Sequence, residues 1–352
     1  MKKTIRTVAT ALTLALLLAV TAGLTAGCSA KEVVQVFNWG EYIDESIFAD
    51  FKAQTGITVK YSTFETNEDL YAKLKAGGAS YDVIIPSDYM VARMIEEGML
   101  EKIDFANVPN ASLISERYQK PYYDPTGEYS AAYMWGTVGL IYNPELVSGE
   151  VTSWGTMFDP AYSGQILMFD NSRDAFGIAL KYLGYSLNTT DKTQLAEALE
   201  LLKTQKSILQ GYVMDTIFDK MEGGEAAIGA YYAGDYLSML ENNENLRFVL
   251  PSEGANIFSD ALCIPKGAKN KANGEAFINF VTSTEIALRN MDVTGYVSGN
   301  QEAADEFAAD LDDETFDIMF PNDEILARCE PFYNLPADIR NLYDDMWNEL
   351  LG

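Results

Sequence analysis

Residues 33–64, VVQVFNWGEYIDESIFADFKAQTGITVKYSTF, decide the fold class. Val33 to Phe37 is a short apolar run suited to a strand. Asp44 then stands as a helix N-cap, Ile43 and Phe48 are spaced as a hydrophobic staple, and Ile47 and Phe51 share one helical face. Gly56 occupies the position where a left-handed residue closes a helix. Ile57 to Phe64 alternates as a second strand. Strand, helix and strand follow one another with connections too short for anything but a βαβ unit.

The pattern repeats downstream. Asn67 to Ala76 reads as a helix closed by Gly77-Gly78, Tyr81 to Ile85 as a buried strand ended by Pro86, and Val91, Met94 and Ile95 as a helical face ended by Gly98. This βαβαβα order predicts an α/β fold with a mainly parallel sheet flanked by helices. The middle differs: Ala131 to Tyr142 (AAYMWGTVGLIY) is an extended, glycine-interrupted run, too long for an ordinary strand and suited to crossing between lobes. Helices are expected near residues 172–183, 193–205, 216–221, 235–241, 272–281, 285–291, 303–311 and 336–350, with extended segments at 248–251 and 260–265. No internal repeat or low-complexity linker interrupts the chain.

The first residues carry Lys2, Lys3 and Arg6 ahead of an apolar stretch from Val8 to Leu24, which reads as a secretory signal over residues 1–27. It ends in Leu24-Thr25-Ala26-Gly27-Cys28, similar to a lipoprotein cleavage site, with Thr25 where that pattern prefers Leu. Cys28 is the expected lipidation site, and 28–32 the linker from a membrane anchor. The remaining chain has 22 Lys+Arg against 52 Asp+Glu, or −30. Such a charge argues against nucleic acid and anionic lipid as partners and would attract a cation. About 325 residues exceed what one core ordinarily holds, so two lobes are expected. The chain has no histidine, which excludes Ser-His-Asp and Cys-His sites and HExxH zinc sites. Cys263 and Cys329 are read either as buried thiols or as a pair.

In an open parallel sheet, ligands collect beyond the carboxyl ends of the strands. Several turns of that type combine acids with aromatics or hydroxyls: Trp39-Gly40-Glu41-Tyr42, Pro86-Ser87-Asp88-Tyr89, the run Phe169 to Asp174, and Tyr231 to Asp235. Phe258-Ser259-Asp260 and Gly295-Tyr296 repeat the theme. Ring faces attract an organic ammonium by about 0.5–2 kcal/mol each, and a carboxylate adds a charge-assisted hydrogen bond. A metal would want carboxylates without ring walls. Each residue also has a plainer reading: Trp and Tyr as core, and Asp44, Asp88 and Asp170 as helix caps.

The stretches FNWGEYID, ITVKYSTFETNEDLYAKLKAGGASYDVIIPSDY and EGMLEKID resemble the spermidine/putrescine-binding proteins of bacterial ABC importers. The resemblance continues in order through MWGTVGLIYN, SRDAFGIALKYLGYS, NTTD, FSDALCIPKGAKNK and TGYVSGN. It implies a two-lobed periplasmic-binding-protein fold with crossing strands. Residues 33–137 with 257–301 would form the N-terminal lobe, and 138–256 with 302–352 the C-terminal lobe. It implies a polyamine in the cleft between them, with Trp39 and Tyr42 sandwiching methylenes and Glu41 meeting an ammonium. Ser87, Tyr89, Asp174, Asp260 and Tyr296 carry over from the family's motifs. Tyr232 and Phe258 stand where members often have Trp, Asn171 where spermidine-type members have Asp, and Asp235 matches putrescine-type members. Tyr333 stands in for a late Gln.

The expected protein is thus a monomeric, lipid-anchored receptor on the outer face of the cell membrane. It takes putrescine or spermidine, works with an ABC permease, and needs no cofactor, metal or catalytic residue. The alternatives are a receptor for another cationic or amino-acid-like solute, an exported hydrolase using Glu41 with Asp174 or Asp260, and a ligand sensor. An amino-acid receptor would need an arginine at its site. Arg173 is the obvious candidate, and is expected instead to brace Asp174 or Asp170.

Overall fold

β1 (Val33–Trp39) organises the N-terminal half. It pairs in parallel with β2 (Thr58–Phe64) along its length, Val33 opposite Thr58 through Trp39 opposite Phe64, and with β3 (Val83–Ile84) on its other edge. The computed structural model describes residues 32–77 and 80–352; the signal segment, Cys28 and Gly78 lie outside them. The helix Ile47–Thr55 buries Ile47 and Phe51 completely, and Gly56, at φ 76°, returns its N–H to the Lys52 carbonyl. These features follow the reading of the sequence.

Asp44 does not cap that helix, which begins three residues later. Its Oδ1 accepts from the Ser46 N–H at 2.9 Å, and its Oδ2 accepts from Arg289 Nε at 3.1 Å. The carboxylate therefore closes the preceding turn and ties it to the helix Thr284–Thr294, because an arginine within reach outcompetes a simple cap.

The long apolar run is a single strand, β5 (Ser130–Tyr142), buried over all but its last residue. Its first half pairs antiparallel with β10 (Ile257–Pro265), from Ser130 opposite Cys263 to Thr137 opposite Ile257, and the end of β10 also pairs with the two-residue β4 (Leu100–Glu101). Its second half pairs antiparallel with β8 (Ile228–Tyr232) and β9 (Arg247–Val249). Gly139 is needed there because a Cβ would lie 2.6 Å from the Val249 carbonyl oxygen and against the Phe248 ring. Beyond β8, β6 (Ile166–Phe169) pairs in parallel with both β8 and β7 (Leu209–Val213). The order β2-β1-β3-β10-β5-β8-β6-β7 thus places two parallel halves on either side of an antiparallel centre. Each half has its own core, around Val34, Val36, Phe51 and Phe277 on one side and Leu167, Phe176, Leu202 and Met239 on the other. Two lobes share strands that cross between them.

The strands β6, β7 and β8 were not legible as strands. Ile166 to Phe169 are all fully buried, so their apolar run carries no alternation to separate strand from helix. Cys263 and Cys329 are both free thiols, so the disulfide reading is excluded. Among the described residues no helix is long and apolar enough to cross a membrane.

The start of β5 depends on Asp124, which is fully buried. Its carboxylate accepts from the backbone N–H groups of Gly127, Tyr129 and Ser130 and from the hydroxyls of Thr126 and Ser130, all at 2.8–3.1 Å. Asp124→Ala strands these donors and should cost about 3 kcal/mol or more, seen as a lower urea midpoint at 25 °C.

Candidate functional site

The turns that follow β1, β2 and β3 face those that follow β6, β7 and β8 across a cleft between the lobes. β10 supplies its floor through Phe258 and Asp260. The cavity holds about 730 Å³ of empty space, its mouth included, within the range of small-molecule sites.

Rings line much of it in one continuous series. Tyr42 meets Tyr296 edge-on at 4.8 Å, Tyr296 meets Phe258 at 5.9 Å, and Phe258 meets Tyr232 at 5.3 Å. Trp39 packs on Phe64 at 4.5 Å, and its carbonyl accepts the Tyr61 hydroxyl. Tyr42 is fixed through its own carbonyl, which accepts the Tyr133 hydroxyl at 2.8 Å. The Trp39 Nε1 and the Tyr42 hydroxyl are buried without a hydrogen-bond partner. Ser87 is clamped by Asn67, whose side chain accepts from the Ser87 N–H and donates to its hydroxyl, both at 3.1 Å.

Carboxylates supply the polarity. Glu65, Glu68, Asp88, Asp174, Asp215, Asp235 and Asp260 all line the cavity, with no lysine or arginine among its described lining residues. Burial is the leading cause of every shift that follows. It pushes the Asp260 carboxyl up to about 7, against the Ser87 and Tyr42 hydroxyls beside it. It pushes Asp88 up to about 7, against the Tyr122 hydroxyl and the Tyr89 N–H, while the nearby Asp260 raises it further. Asp174 rises to about 6, opposed by Asn171 and the Arg173 guanidinium. Asp235 and Glu68 are also raised. Asp260 is 3% exposed, and its Oδ1 has no hydrogen-bond partner. A buried carboxylate oxygen without a donor is costly, and the nearby Tyr42 hydroxyl is unpartnered as well.

The structure gathers Trp39, Tyr42, Ser87, Tyr89, Asn171, Asp174, Tyr232, Asp235, Phe258, Asp260 and Tyr296 around this space. Glu41 and Tyr333 stand apart. Glu41 is exposed and outside the lining, and its φ of 43° makes it the one non-glycine residue of positive φ among those described. The left-handed position of the first turn thus falls on Glu41, not Gly40. At Gly40 a Cβ would lie 2.5 Å from Asp215 Oδ2, so a larger residue there would displace the Asp215 side chain. Tyr333 is 48% exposed and packs on Tyr122, while its neighbour Phe332 lines the cavity.

Asn171 is the N-cap of the helix Ser172–Tyr182, accepting the Asp174 N–H at 2.8 Å, so its oxygen is already engaged. None of the three suspected aspartate caps is one: Asp88 begins its helix and accepts from the Tyr89 N–H, and Asn171 replaces Asp170. Arg173 forms no ion pair with Asp170 or Asp174; it is stacked among rings behind the cavity.

Sequence reasoning missed Glu65, Glu68 and Asp215 as lining acids, and placed Asp88 in a candidate turn without choosing between ligand and cap. Glu68 follows β2 as Glu41 follows β1, and the same strand-end argument could have found it; its Oε1 accepts the Tyr89 hydroxyl at 3.0 Å. Asp215 follows β7, and with that strand unread there was no signal.

A carboxyl whose folded pKa is raised favours folding at low pH, and that contribution is lost as pH rises through the folded value, here from about 4 to 7. Asp260→Asn should therefore raise the melting temperature of the ligand-free protein at pH 8 and have little effect at pH 4. Differential scanning calorimetry at the two pH values checks this.

Residues 46–315 match the profile of the family described as bacterial extracellular solute-binding protein. The chain is 33% identical over 318 residues to the spermidine/putrescine-binding periplasmic protein of Escherichia coli K12, covering 89% of this chain and 90% of that one. It is similar in structure to a Listeria monocytogenes protein provisionally assigned as a spermidine/putrescine ABC transporter. The TM-score is 0.85 at 34% identity, covering 91% of this chain and 99% of the other. It is also similar to the TpPotD lipoprotein of Treponema pallidum, with TM-score 0.79 at 27% identity, covering 91% and 99%.

Proposed function

Because this chain belongs to the bacterial extracellular solute-binding proteins, we propose that it captures putrescine or spermidine in the cleft and delivers it to an ABC permease. Its fold is the two-lobed periplasmic-binding-protein fold. The observation that carries the ligand class is Asp260, a carboxylate buried among rings with one oxygen unpartnered. An ammonium supplies the missing donors and charge, while Tyr42, Tyr296, Phe258 and Tyr232 pack methylenes. Asp235 and Asp174 offer further anionic ends. No bond of the ligand is made or broken. Binding closes the lobes as a hinge about the crossing strands, with the division at 33–137 plus 257–301 and 138–256 plus 302–352.

An amino-acid-like ligand fits less well, since its carboxylate would meet an acidic cavity and Arg173 lies behind the wall. Glu41, exposed and outside the lining, acts on Asp235 through its charge and adds long-range attraction for an incoming cation. The likeness to a Treponema lipoprotein supports lipidation at Cys28, which would hold a monomer at the outer face of the membrane.

Calorimetry with putrescine and spermidine tests the reading: micromolar or tighter binding of one is expected, and none by either contradicts it. A bound cation lowers the raised carboxyl pKa values, so binding releases protons. Affinity should fall about tenfold or more from pH 7.5 to pH 5.5, where the amines stay charged. Glu41→Gln should weaken binding about two- to threefold through lost long-range attraction, with the melting temperature unchanged. Cys28→Ser should move the protein from the membrane fraction to the soluble one.

A further inference from the structure

We propose that Arg173 limits the length of polyamine the cleft accepts, its guanidinium forming a cationic wall behind Glu68 and Asp174. That end then takes one terminal ammonium and repels a ligand that extends past it. The inference rests on the polyamine reading above.

Arg173 is 7% exposed and sits against the rings of Phe332, Tyr89 and Tyr343 at 4.4, 5.0 and 5.5 Å. One terminal nitrogen donates to the Tyr333 carbonyl at 3.2 Å and the other to Asn188 Oδ1 at 3.5 Å, while Nε has no partner. Among the described residues no carboxylate forms an ion pair with it. A guanidinium stays charged when buried and stacks on rings, so this position holds a buried positive charge with no carboxylate in direct contact.

Its placement gives that charge a direction. Glu68 and Tyr89 line both the cleft and a second cavity behind it, and Arg173 lines only the second. On the cleft side, Glu68 and Asp174 approach from opposite lobes, and both carboxyls are held lower by Arg173 than burial alone would leave them. Two carboxylates and one guanidinium leave a net charge of −1, which matches a single ammonium. On the far side stand Arg93 and Arg340, partly offset by Glu97, which pairs with both, and by Asp344. An ammonium pushed beyond Glu68 would pass Arg173 and enter a space walled by guanidinium groups. Repulsion of this kind discriminates by penalising the wrong ligand.

Calorimetry on the full mature protein with putrescine, spermidine and spermine tests this. The wild type should bind putrescine or spermidine at least about tenfold more tightly than spermine. Arg173→Met, which keeps the apolar stem against the rings, should narrow that gap about fivefold or more, and Arg340→Gln about twofold. The proposal is overturned if wild type binds spermine as tightly as its best ligand, or if folded variants keep the wild-type ratio. Should Arg173→Met fail to fold, Arg340→Gln decides alone. Absence of binding by all three polyamines to wild type overturns the polyamine reading and this inference with it, a result distinct from an unchanged ratio.

Discussion

Carboxylates buried among aromatic rings without a cation are the constraint on which the site depends. Asp260 and Asp235 are buried and Asp174 and Glu68 half-buried, and loss of water is the leading influence on each carboxyl. A protein can tolerate such a set by protonating it or by binding positive charge. The ring series from Tyr42 to Tyr232 favours an organic cation with apolar links between its charges. On the proposed function, a bound ammonium would favour the ionised carboxyls and so couple ligand binding to pH.

The fold exists to hold two half-sites at opposite ends of shared strands. β5 runs from one lobe's sheet into the other's, and β10 brings Phe258 and Asp260 to the boundary. Close packing beside the cleft also favours small residues: a Cβ on Gly234 would lie 2.5 Å from the buried Tyr296 ring.

Much of this was legible where periodicity and strand-end logic apply. The β1–helix–β2 unit, Gly56 as its stop and the crossing run at 131–142 are all visible in residue order. Trp39, Tyr42, Ser87 and Tyr89 follow strands legible in residue order, while Asp174, Tyr232, Asp235, Phe258, Asp260 and Tyr296 were assigned through the family resemblance. What escaped has physical causes. β6 and β7 hid in short stretches without useful alternation, and Asp215 hid with β7. Glu41 looked like a lining acid, yet its left-handed backbone leaves it exposed. Asp44 looked like a cap, but a distant arginine claimed it. Contacts between residues far apart in sequence decide such cases, and no local pattern carries them.

The account turns on whether ligand replaces protons at buried carboxylates. Carboxyl carbon NMR titration of aspartate-labelled protein, with and without putrescine, reads this at Asp260. The ligand-free carboxyl should titrate near 7, and saturation with putrescine should lower its midpoint by about two units or more. A bound protein in which Asp260 still titrates at its ligand-free value would contradict the account.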